Sequence, residues 1–124
     1  MENIRVGDIM TRSFVAVKPE TNLIECAKKM TKNRVGSLIL VENQKLKGMI
    51  TQEDIMWALT KKHPKDLNKI LAKDISPKKI ITIKPSASID DALRRMRKLK
   101  FRRLLVTVNG SIVGFLTLKD ILKI

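Results

Sequence analysis

The chain has little of several residue types on which common functional sites depend. It contains one cysteine, one histidine and no tyrosine, and aromatic residues make up 3% of its 124 positions. The single cysteine, Cys26, cannot form an internal disulfide, which is typical of proteins from a reducing compartment. The single histidine, His63, has no second imidazole with which to build a metal site. The scarcity of aromatic rings argues against recognition of single-stranded nucleic acid by base stacking.

Long apolar runs and enzyme motifs are also missing. No apolar run approaches the ~20 residues that a membrane-spanning helix needs, and no charged-then-apolar leader opens the chain. We therefore expect a cytoplasmic protein without membrane contact. The sequence shows no glycine-rich phosphate loop, no nucleophile with a plausible base and no metal-ligand cluster. We predict that the protein is not an enzyme, has no catalytic residues, and requires neither a metal nor a cofactor.

Acidic residues are few relative to basic ones, and the imbalance is uneven along the chain. The 26 Lys and Arg against 12 Asp and Glu give a formal net charge of +14. Residues 6–58 carry 8 basic and 6 acidic side chains, whereas residues 72–124 carry 13 basic and 4 acidic ones. A field of one sign attracts polyanions. The sequence predicts that the second half does most of this attracting.

The chain contains an internal duplication. With an offset of 66 residues, Val6–Ala58 aligns with Ala72–Ile124 without a gap. Each copy of about 53 residues is at the lower limit for folding alone, so we expect the copies to pack on each other. Two copies favour a pseudo-symmetric pair with two related clefts between them. Identical pairs include Asp8/Asp74, Lys18/Lys84, Gly48/Gly114, Thr51/Thr117 and Asp54/Asp120.

Each copy predicts the element order β-α-β-β-α, and therefore an α/β protein with one small mixed sheet per half. A brief strand, Phe14–Val17, precedes a helix that Thr21 or Asn22 can cap. In the second copy Asn109-Gly110 is a strong hairpin signal. The apolar face of this helix is predicted at Leu23, Cys26, Ala27 and Met30. The next two strands are predicted at Ser37–Val41 and Leu46–Ile50, joined by the turn Glu42–Lys45. The last helix of each copy is predicted to begin after Thr51 and after Thr117.

The recurring motifs Asp8–Thr11, Gly48–Ile55 and Gly114–Ile121 resemble those of a tandem pair of cystathionine-β-synthase (CBS) domains, a Bateman-type module. The resemblance implies a first CBS repeat at 1–59, a connector at 60–71 and a second repeat at 72–124. It also implies a stand-alone regulatory sensor that binds AMP, ADP, ATP or S-adenosylmethionine in clefts between the repeats. Such modules commonly form homodimers, and we expect the last helices to self-associate through Ile55, Met56, Ile121 and Leu122.

The Thr-x-x-Asp pattern at Thr51–Asp54 and Thr117–Asp120 has two interpretations. A carboxylate at a helix start can accept hydrogen bonds from a ribose diol, while the hydroxyl and the free helix N–H groups can meet a phosphate. The same pattern is also an ordinary capping box that needs no ligand. The spacing alone leaves both open, and the resemblance to CBS pairs favours a ligand at one site at least.

The resemblance also assigns the partners of each aspartate. One set is Asp120, Thr117, Thr11, Ala16, Val35, Gly36 and Ser37; the other is Asp54, Thr51, Thr82, Phe101, Arg102 and Arg103. The second set departs from the family pattern, because Pro77 replaces the counterpart of Thr11 and Arg102 adds bulk at the counterpart of Gly36. We therefore expect the Asp120 set to be the better ligand site.

A rival hypothesis is nucleic-acid binding through the basic second repeat. The run Arg94–Arg103 contains seven basic residues in ten, and phosphate-backbone contact is the mode that such a run favours. A solvated helix face explains the same run equally well. The candidate residues are Arg94, Arg95, Arg97, Lys98 and Lys100.

Overall fold

The computed structural model describes residues 3–61 and 64–124, so His63 lies outside the described residues. The chain divides into two compact units. The continuous unit is Val15–Lys79, and the split unit joins the N-terminal segment up to Phe14 to Ile80–Ile124. These packing units are a different division of the chain from the sequence repeats at 1–59 and 72–124, which remain a prediction about domains.

The described residues alternate between helices and strands in the same order in both repeats. The predicted β-α-β-β-α order is present in each, preceded by a four-residue helix. In chain order the elements are α1 (Val6–Ile9), β1 (Ala16–Val17), α2 (Leu23–Asn33), β2 (Ser37–Glu42), β3 (Lys45–Thr51), α3 (Gln52–Lys61), a 3₁₀ helix (Pro64–Lys69), α4 (Ala72–Ile75), β4 (Thr82–Ile83), α5 (Ile89–Leu99), β5 (Arg103–Val108), β6 (Ser111–Thr117) and α6 (Leu118–Leu122).

The two sheets confirm the predicted α/β class with one small mixed sheet per unit. Each has three strands, in the orders β1-β2-β3 and β4-β5-β6. The first strand pairs in parallel with the second, which pairs antiparallel with the third. Both hairpins have a register shift at the same place in the repeat, between Leu40 and Val41 and between Val106 and Thr107. The duplication in the sequence therefore extends to an irregularity of the backbone.

Tight turns close both hairpins because their central residues adopt the left-handed region. Asn43 and Gln44 have φ values of 52° and 67°, and Asn109 and Gly110 have 52° and 82°. Two positive φ values match the twist of the flanking strands, as expected for a two-residue hairpin turn. The first turn is shorter than the predicted Glu42–Lys45, because Glu42 and Lys45 pair with each other in the ladder.

Helix α2 begins as the sequence predicts and buries a slightly different face. The Asn22 side chain accepts a hydrogen bond from the Glu25 amide at 2.9 Å, so Asn22 rather than Thr21 is the N-cap. Cys26 is fully buried, whereas Ala27 is exposed. The prediction of Ala27 on the buried face is wrong because the buried stripe of α2 is Leu23, Cys26 and Met30, of which Cys26 and Met30 pack with the residues of the sheet.

Each short helix packs beside the first strand and long helix of its own unit. In the split unit, the amides of Val6 and Gly7 donate to the carbonyls of Ala87 and Pro85, both at 2.9 Å. In the continuous unit, the amides of Ala72 and Lys73 donate at 2.7 and 3.0 Å to the equivalent carbonyls, Thr21 and Pro19. These bonds assign α1 to the unit of the second repeat and α4 to the unit of the first.

The cores confirm the amphipathic pattern. The split unit buries the central strand residues Leu104 and Val106 together with Val6. The continuous unit buries the equivalent strand residues Leu38 and Leu40, together with Cys26. Burial, reinforced by the negative charge of Glu25, raises the pKa of the Cys26 thiol. Cys26 is therefore a core residue, as its position on the helix indicates.

Helix α3 leaves large apolar side chains on the surface. Met56, Trp57 and Leu59 are 66%, 64% and 47% exposed. The Lys61 ammonium lies 4.5 Å from the centre of the Trp57 ring, a cation–π distance. Within the described parts of the chain, no helix has both the length and the apolar character that crossing a membrane requires.

Candidate functional site

Both Thr-x-x-Asp motifs form capping boxes. The Thr51 amide and hydroxyl donate to Oδ2 of Asp54 at 2.8 and 3.0 Å, and the Asp54 amide donates back to Thr51 Oγ1 at 3.3 Å. Thr117 and Asp120 repeat the arrangement at 2.9, 3.2 and 3.3 Å. Strand β3 leads directly into α3, and β6 into α6, so the cap fixes the carboxylate at the junction of strand and helix. The capping interpretation is thus correct in both repeats.

Capping leaves part of each carboxylate available, because only Oδ2 takes part in the box. Both aspartates are half-buried. A carboxylate offers about four lone-pair sites, and each box uses two of them. The remaining oxygen, Oδ1, can accept hydrogen bonds from a hydroxyl-bearing ligand. The two interpretations of the motif are therefore compatible.

In the split unit, Thr11 joins the Thr117–Asp120 box. The Thr11 hydroxyl donates to Oδ1 of Asp120 at 3.1 Å. The backbone of Thr11 holds it there, because its amide and carbonyl pair with those of Phe115 at 2.8 and 2.9 Å in an isolated antiparallel bridge. The structure thus brings together three residues of the first predicted set, Thr11, Thr117 and Asp120.

In the continuous unit, Pro77 stands at the position equivalent to Thr11 and changes the pairing. Proline has no amide hydrogen, so it cannot donate the bond that the Thr11 amide makes. The hydroxyl of the preceding residue, Ser76, replaces the backbone pair by donating to the Met49 carbonyl at 3.1 Å and accepting from the Met49 amide at 3.2 Å. Consequently, within the described part of the chain, no residue offers Asp54 a hydroxyl equivalent to that of Thr11.

The segment from Val35 to Ser37, which leads from α2 into β2, lies beside the capping box of its own unit. Ser37 pairs with Thr51 in the β2–β3 ladder, and the Gln52 amide donates to the Gly36 carbonyl at 3.1 Å. Val35 is half-buried and Gly36 is exposed. The last member of this group, Ala16, lies exposed on the edge strand β1 and pairs with Ile39. All four predicted residues thus belong to the continuous unit.

The equivalent segment of the split unit carries Phe101, Arg102 and Arg103. Arg103 pairs with Thr117 in the β5–β6 ladder, and the Leu118 amide donates to the Arg102 carbonyl at 3.2 Å. The Arg103 guanidinium lies 5.6 Å from the centre of the Phe115 ring, so this cation packs on an aromatic face. Arg102 is exposed and Phe101 is half-buried.

Thr82 lies at the other edge of this sheet, on β4. Its carbonyl accepts a hydrogen bond from Nη1 of Arg95 at 2.9 Å. Thr82 and Arg95 line an open groove of about 1000 Å³ that ends at the β5–β6 turn. Arg103 and Thr117 are at the opposite end of β5, so this groove does not include the capping box of the unit.

A smaller cavity beside Asp54 was not predicted from the sequence. It has a volume of about 320 Å³ and lies on one face of α3, since Asp54, Trp57, Ala58 and Lys61 recur at helical spacing. Ile70, Asp74 and Ile75 form the other wall. The helical spacing of these four residues can be read from the sequence, but from the sequence alone Trp57 indicates only a packing role. What the sequence does not show is that α4 lies opposite.

The basic residues on α5 and at its C-cap lie on the surface. Arg94, Arg95, Arg97, Lys98 and Lys100 are all exposed. Asp91 lies 3.4 Å from Arg94 and 3.7 Å from Arg95. Among the described residues, no ion pair involves Arg97, Lys98 or Lys100. This is the solvated helix face that the sequence leaves open as an alternative.

The uneven charge of the two repeats disappears in the folded units. The split unit contains 12 basic and 5 acidic residues, and the continuous unit contains 14 and 7, so each has a formal balance of +7. The exchange of chain segments explains the difference, because the lysine-rich residues up to Lys79 belong to the continuous unit. The expectation that one half does most of the attracting is therefore not supported at the level of the folded units.

The two repeats match a known family, since the CBS domain profile covers residues 6–61 and 72–124. The chain belongs to the CBS domain family. An uncharacterized protein of Methanopyrus kandleri is 29% identical to this CBS pair over 126 residues, which cover 100% of the chain and 64% of that protein. The chain spans between 40% and 67% of the length of three archaeal relatives.

Solved CBS structures share the fold closely. A CBS domain protein of Pyrobaculum aerophilum complexed with AMP has a TM-score of 0.81 and 26% identity, covering 94% of this chain and 89% of that one. A CBS domain pair in complex with 5′-methylthioadenosine and S-adenosyl-L-methionine has a TM-score of 0.82 and 26% identity, covering 96% and 93%. Among the residues described here, no group of three or more His, Cys, Asp or Glu side chains could hold a metal ion.

Proposed function

We propose that this CBS pair is a regulatory module that binds an adenosine-containing ligand, with AMP, ADP, ATP and S-adenosylmethionine as the candidates. The observation that carries the proposal is the Thr–Asp box, which in both repeats leaves Oδ1 outside the cap. A vicinal ribose diol is a natural donor to such an oxygen. The proteins of similar fold that are complexed with AMP and with S-adenosyl-L-methionine support the ligand class.

The proposed ligand residues are those named from the family resemblance. Thr11, Thr117 and Asp120 form one hydrogen-bonded group, and Thr51 with Asp54 forms the second. Residues with small side chains or an accessible backbone are proposed to contact the base of the ligand. The cationic side chains are proposed to contact its phosphate groups. The remaining members are Ala16, Val35, Gly36, Ser37, Thr82, Phe101, Arg102 and Arg103.

The role proposed for the ligand is to shift the module between conformations or assembly states. A ligand changes such an equilibrium only if it binds one state more tightly than the other. A net charge of +14 makes phosphate binding a large electrostatic change for this chain. We propose that the module regulates a partner protein in the cytoplasm and does not catalyse a reaction. The partner protein would bind one state of the module in preference to the other.

Homodimer formation is part of the proposal, with revised contact residues. Met56 and Leu122 are 66% and 75% exposed and remain candidates for an interface. Ile121, at 7% exposure, is in the core of the split unit, and Ile55 packs against the core of the continuous unit. Sedimentation analysis tests the interface: Met56→Glu is expected to lower the dimer fraction, whereas the exposed Lys28→Glu is not. An unchanged dimer in Met56→Glu contradicts this assignment.

Calorimetric titration with AMP, ADP, ATP and S-adenosylmethionine tests the proposed function. Saturable binding of at least one compound is expected, and the double variant Asp54→Asn/Asp120→Asn is expected to lose it. Asparagine keeps a side-chain oxygen that can accept the cap hydrogen bonds, so the helices should still begin at the same residues. Absence of binding by the wild-type protein, or unchanged binding by the double variant, contradicts the proposal.

Nucleic-acid binding is the second candidate. The observation that favours it is the exposed set Arg97, Lys98 and Lys100 on and just after α5, which makes no ion pair with any residue that the structure describes. Binding to a phosphate backbone weakens steeply with salt, whereas a ligand held by ribose hydrogen bonds is less sensitive. A DNA duplex titrated at two salt concentrations separates the two. Reversal of charge at Arg94, Arg95 and Arg97 is expected to abolish duplex binding without changing nucleotide binding. Failure of the wild-type protein to bind a duplex at low salt removes this candidate.

A further inference from the structure

A groove on the surface of the split unit lies where α5 meets the start of α6, and we call it the α5–α6 groove. Its volume is about 460 Å³, and its floor consists of Leu93, Met96, Phe101 and Leu118. Leu118, the first residue of α6, is 41% exposed, and Leu93 and Phe101 are half-buried. The groove therefore presents apolar surface that the unit leaves accessible to solvent.

The local backbone builds this groove. Leu93 and Met96 lie three residues apart and share one face of α5. The Phe101 amide donates to the Met96 carbonyl at 3.1 Å, which turns the chain back towards this face. The Leu118 amide donates to the Arg102 carbonyl at 3.2 Å and holds the start of α6 beside the same segment. The floor is therefore fixed by hydrogen bonds of the backbone at both of its ends.

Three cations, Arg97, Lys100 and Arg102, form the rim of the α5–α6 groove, and all three are exposed. Within the part of the chain that the structure describes, no carboxylate forms an ion pair with any of them. The described residues that line the groove also include no acidic side chain. An apolar floor inside a rim of one sign is complementary to a molecule with apolar groups flanked by negative charge.

The first repeat shows that the fold needs neither this floor nor most of this rim. It forms the same elements with smaller or uncharged residues at five equivalent positions. The pairs are Leu93/Ala27, Arg97/Thr31, Phe101/Val35, Arg102/Gly36 and Leu118/Gln52. A Cβ atom on Gly36 would lie 3.6 Å from Oε1 of Gln52, so a polar side chain lies where the second repeat has Leu118. The larger apolar and cationic residues of the second repeat are therefore available for binding.

Charge and polarity decide which occupant fits the α5–α6 groove. A second copy of the chain also has a net charge of +14, so cations of the two copies would repel each other. A nucleic-acid backbone pairs with the rim, but its polar contacts leave the apolar floor without a partner. An amphipathic helix places apolar residues in such a groove, and acidic residues on its flanks pair with the rim.

We propose that the α5–α6 groove binds an acidic amphipathic helix of a partner protein. Its apolar face contacts Leu93 and Leu118, and its carboxylates pair with Arg97, Lys100 and Arg102. This inference goes beyond the proposed function, because it assigns a surface and a chemistry to the partner. It does not require that the module bind an adenosine compound, so the two proposals can fail separately.

Fluorescence anisotropy with a labelled synthetic peptide tests the proposal on the full chain. The peptide, of about 15 residues, carries leucine at the spacing i, i+3, i+4 and i+7 and glutamate on both sides of that stripe. A scrambled peptide of the same composition keeps the charge and spreads the leucines around the helix. The wild-type protein is expected to bind the first peptide at least about tenfold more tightly, because only that peptide buries its leucines together. Equal affinities, or no binding of either peptide, overturn the proposal.

The first repeat supplies the variants. Leu118→Gln introduces the side chain of Gln52 and is expected to weaken binding of the helical peptide about tenfold, since it removes part of the floor without changing the charge. Arg97→Thr introduces the side chain of Thr31 and is expected to weaken it about threefold. The control Lys79→Thr removes an exposed charge from the continuous unit and should leave the affinity within about twofold. Unchanged affinity in Leu118→Gln, or equal losses in Arg97→Thr and Lys79→Thr, contradicts the proposal.

A DNA duplex and sedimentation analysis distinguish the other occupants. Leu118→Gln is expected to leave both the duplex affinity and the dimer fraction unchanged while it weakens the helical peptide. If the duplex binds and the helical peptide does not, the rim serves nucleic acid and the proposal is wrong. If Leu118→Gln lowers the dimer fraction, a second copy covers the groove and the proposal is wrong as well. Circular dichroism checks folding, which we expect to be kept because α3 already begins with glutamine at this position.

Discussion

Two glycines, Gly48 and Gly114, allow a chain segment to approach the third strand of each sheet closely. A Cβ atom on Gly114 would lie 2.6 Å from the Thr11 carbonyl oxygen, and one on Gly48 would lie 2.5 Å from Ser76 Oγ. Both distances are below ordinary van der Waals contact. Glycine at this position of the repeat therefore makes room for a backbone–backbone pairing in the split unit and for a pairing through a side chain in the continuous unit.

This difference predicts unequal costs of substitution. Gly114→Ala must displace the backbone of Thr11 and is expected to lower the free energy of unfolding by about 2 kcal/mol, as overpacking does. Gly48→Ala needs only rotation of Ser76, at the loss of its bonds to Met49, or about 1 kcal/mol. Urea denaturation measures both. In a double-mutant cycle, Ser76→Ala is expected to absorb most of the Gly48→Ala cost, because the clash and the bonds involve the same hydroxyl. Additive costs contradict this explanation.

The buried thiol predicts a dependence of stability on pH. Burial raises the pKa of Cys26 above its ordinary value of 9.0, so the folded protein favours the protonated thiol. Its contribution to stability is complete below that value and is lost as the pH rises through the pKa of the folded state. Unfolding free energies of the wild type and Cys26→Ala, measured from pH 7 upward, should differ by a constant amount until about pH 9. Above it the wild type should lose stability relative to the variant, and a constant difference throughout contradicts the prediction.

At the scale of elements, equivalent helix ends have the same unusual residue conformation. The C-cap residues of α2 and α5 are Arg34 and Lys100, with φ values of 54° and 60°. The next amides, Val35 and Phe101, donate back to Met30 and Met96 at 3.0 and 3.1 Å. This is the arrangement in which glycine is normally found, because it has no Cβ to clash. Both ends lead directly into segments proposed to contact the ligand.

Glycine at either position is therefore expected to stabilise the fold. Arg34→Gly and Lys100→Gly should each raise the free energy of unfolding by up to about 1 kcal/mol, through relief of the left-handed strain. Thermal unfolding measures the change. Lys98→Gly, within α5, is the matched control and should lower stability by about 1 kcal/mol. Destabilisation at all three positions would show that the side chains of Arg34 and Lys100 contribute more than the strain costs.

Local elements could be predicted from the sequence because local chemistry determines them. Asn109-Gly110 favours a two-residue turn through its own backbone conformation, and the Asn22 cap needs only the nearby amide of Glu25. The boundary of the buried face of α2 was less predictable, since Ala27 and Cys26 are adjacent and only the position of the sheet decides between them. The capping boxes could be predicted from the spacing, whereas the placement of Thr11 beside Asp120 was predicted only from the family resemblance.

At the scale of the whole molecule, the duplication predicts the fold but not which segments pack together. The sequence aligns α1 with α4, yet it does not show that α1 joins the second repeat and α4 the first. That assignment depends on long-range backbone bonds such as Val6 to Ala87 and Ala72 to Thr21. The same assignment determines the formal charge of each unit, because the charge that is unevenly distributed along the chain becomes +7 in both units.

The function proposed for this CBS pair is the binding of an adenosine compound at the threonine–aspartate boxes. The most direct test is an amide NMR titration of the uniformly labelled protein with AMP, with S-adenosylmethionine as a second ligand. Saturable shifts are expected for the amides of at least one box, either Thr51 with Asp54 or Thr117 with Asp120. Shifts confined to Arg94, Arg97 and Lys98 of α5, or no shifts with either ligand, would contradict it.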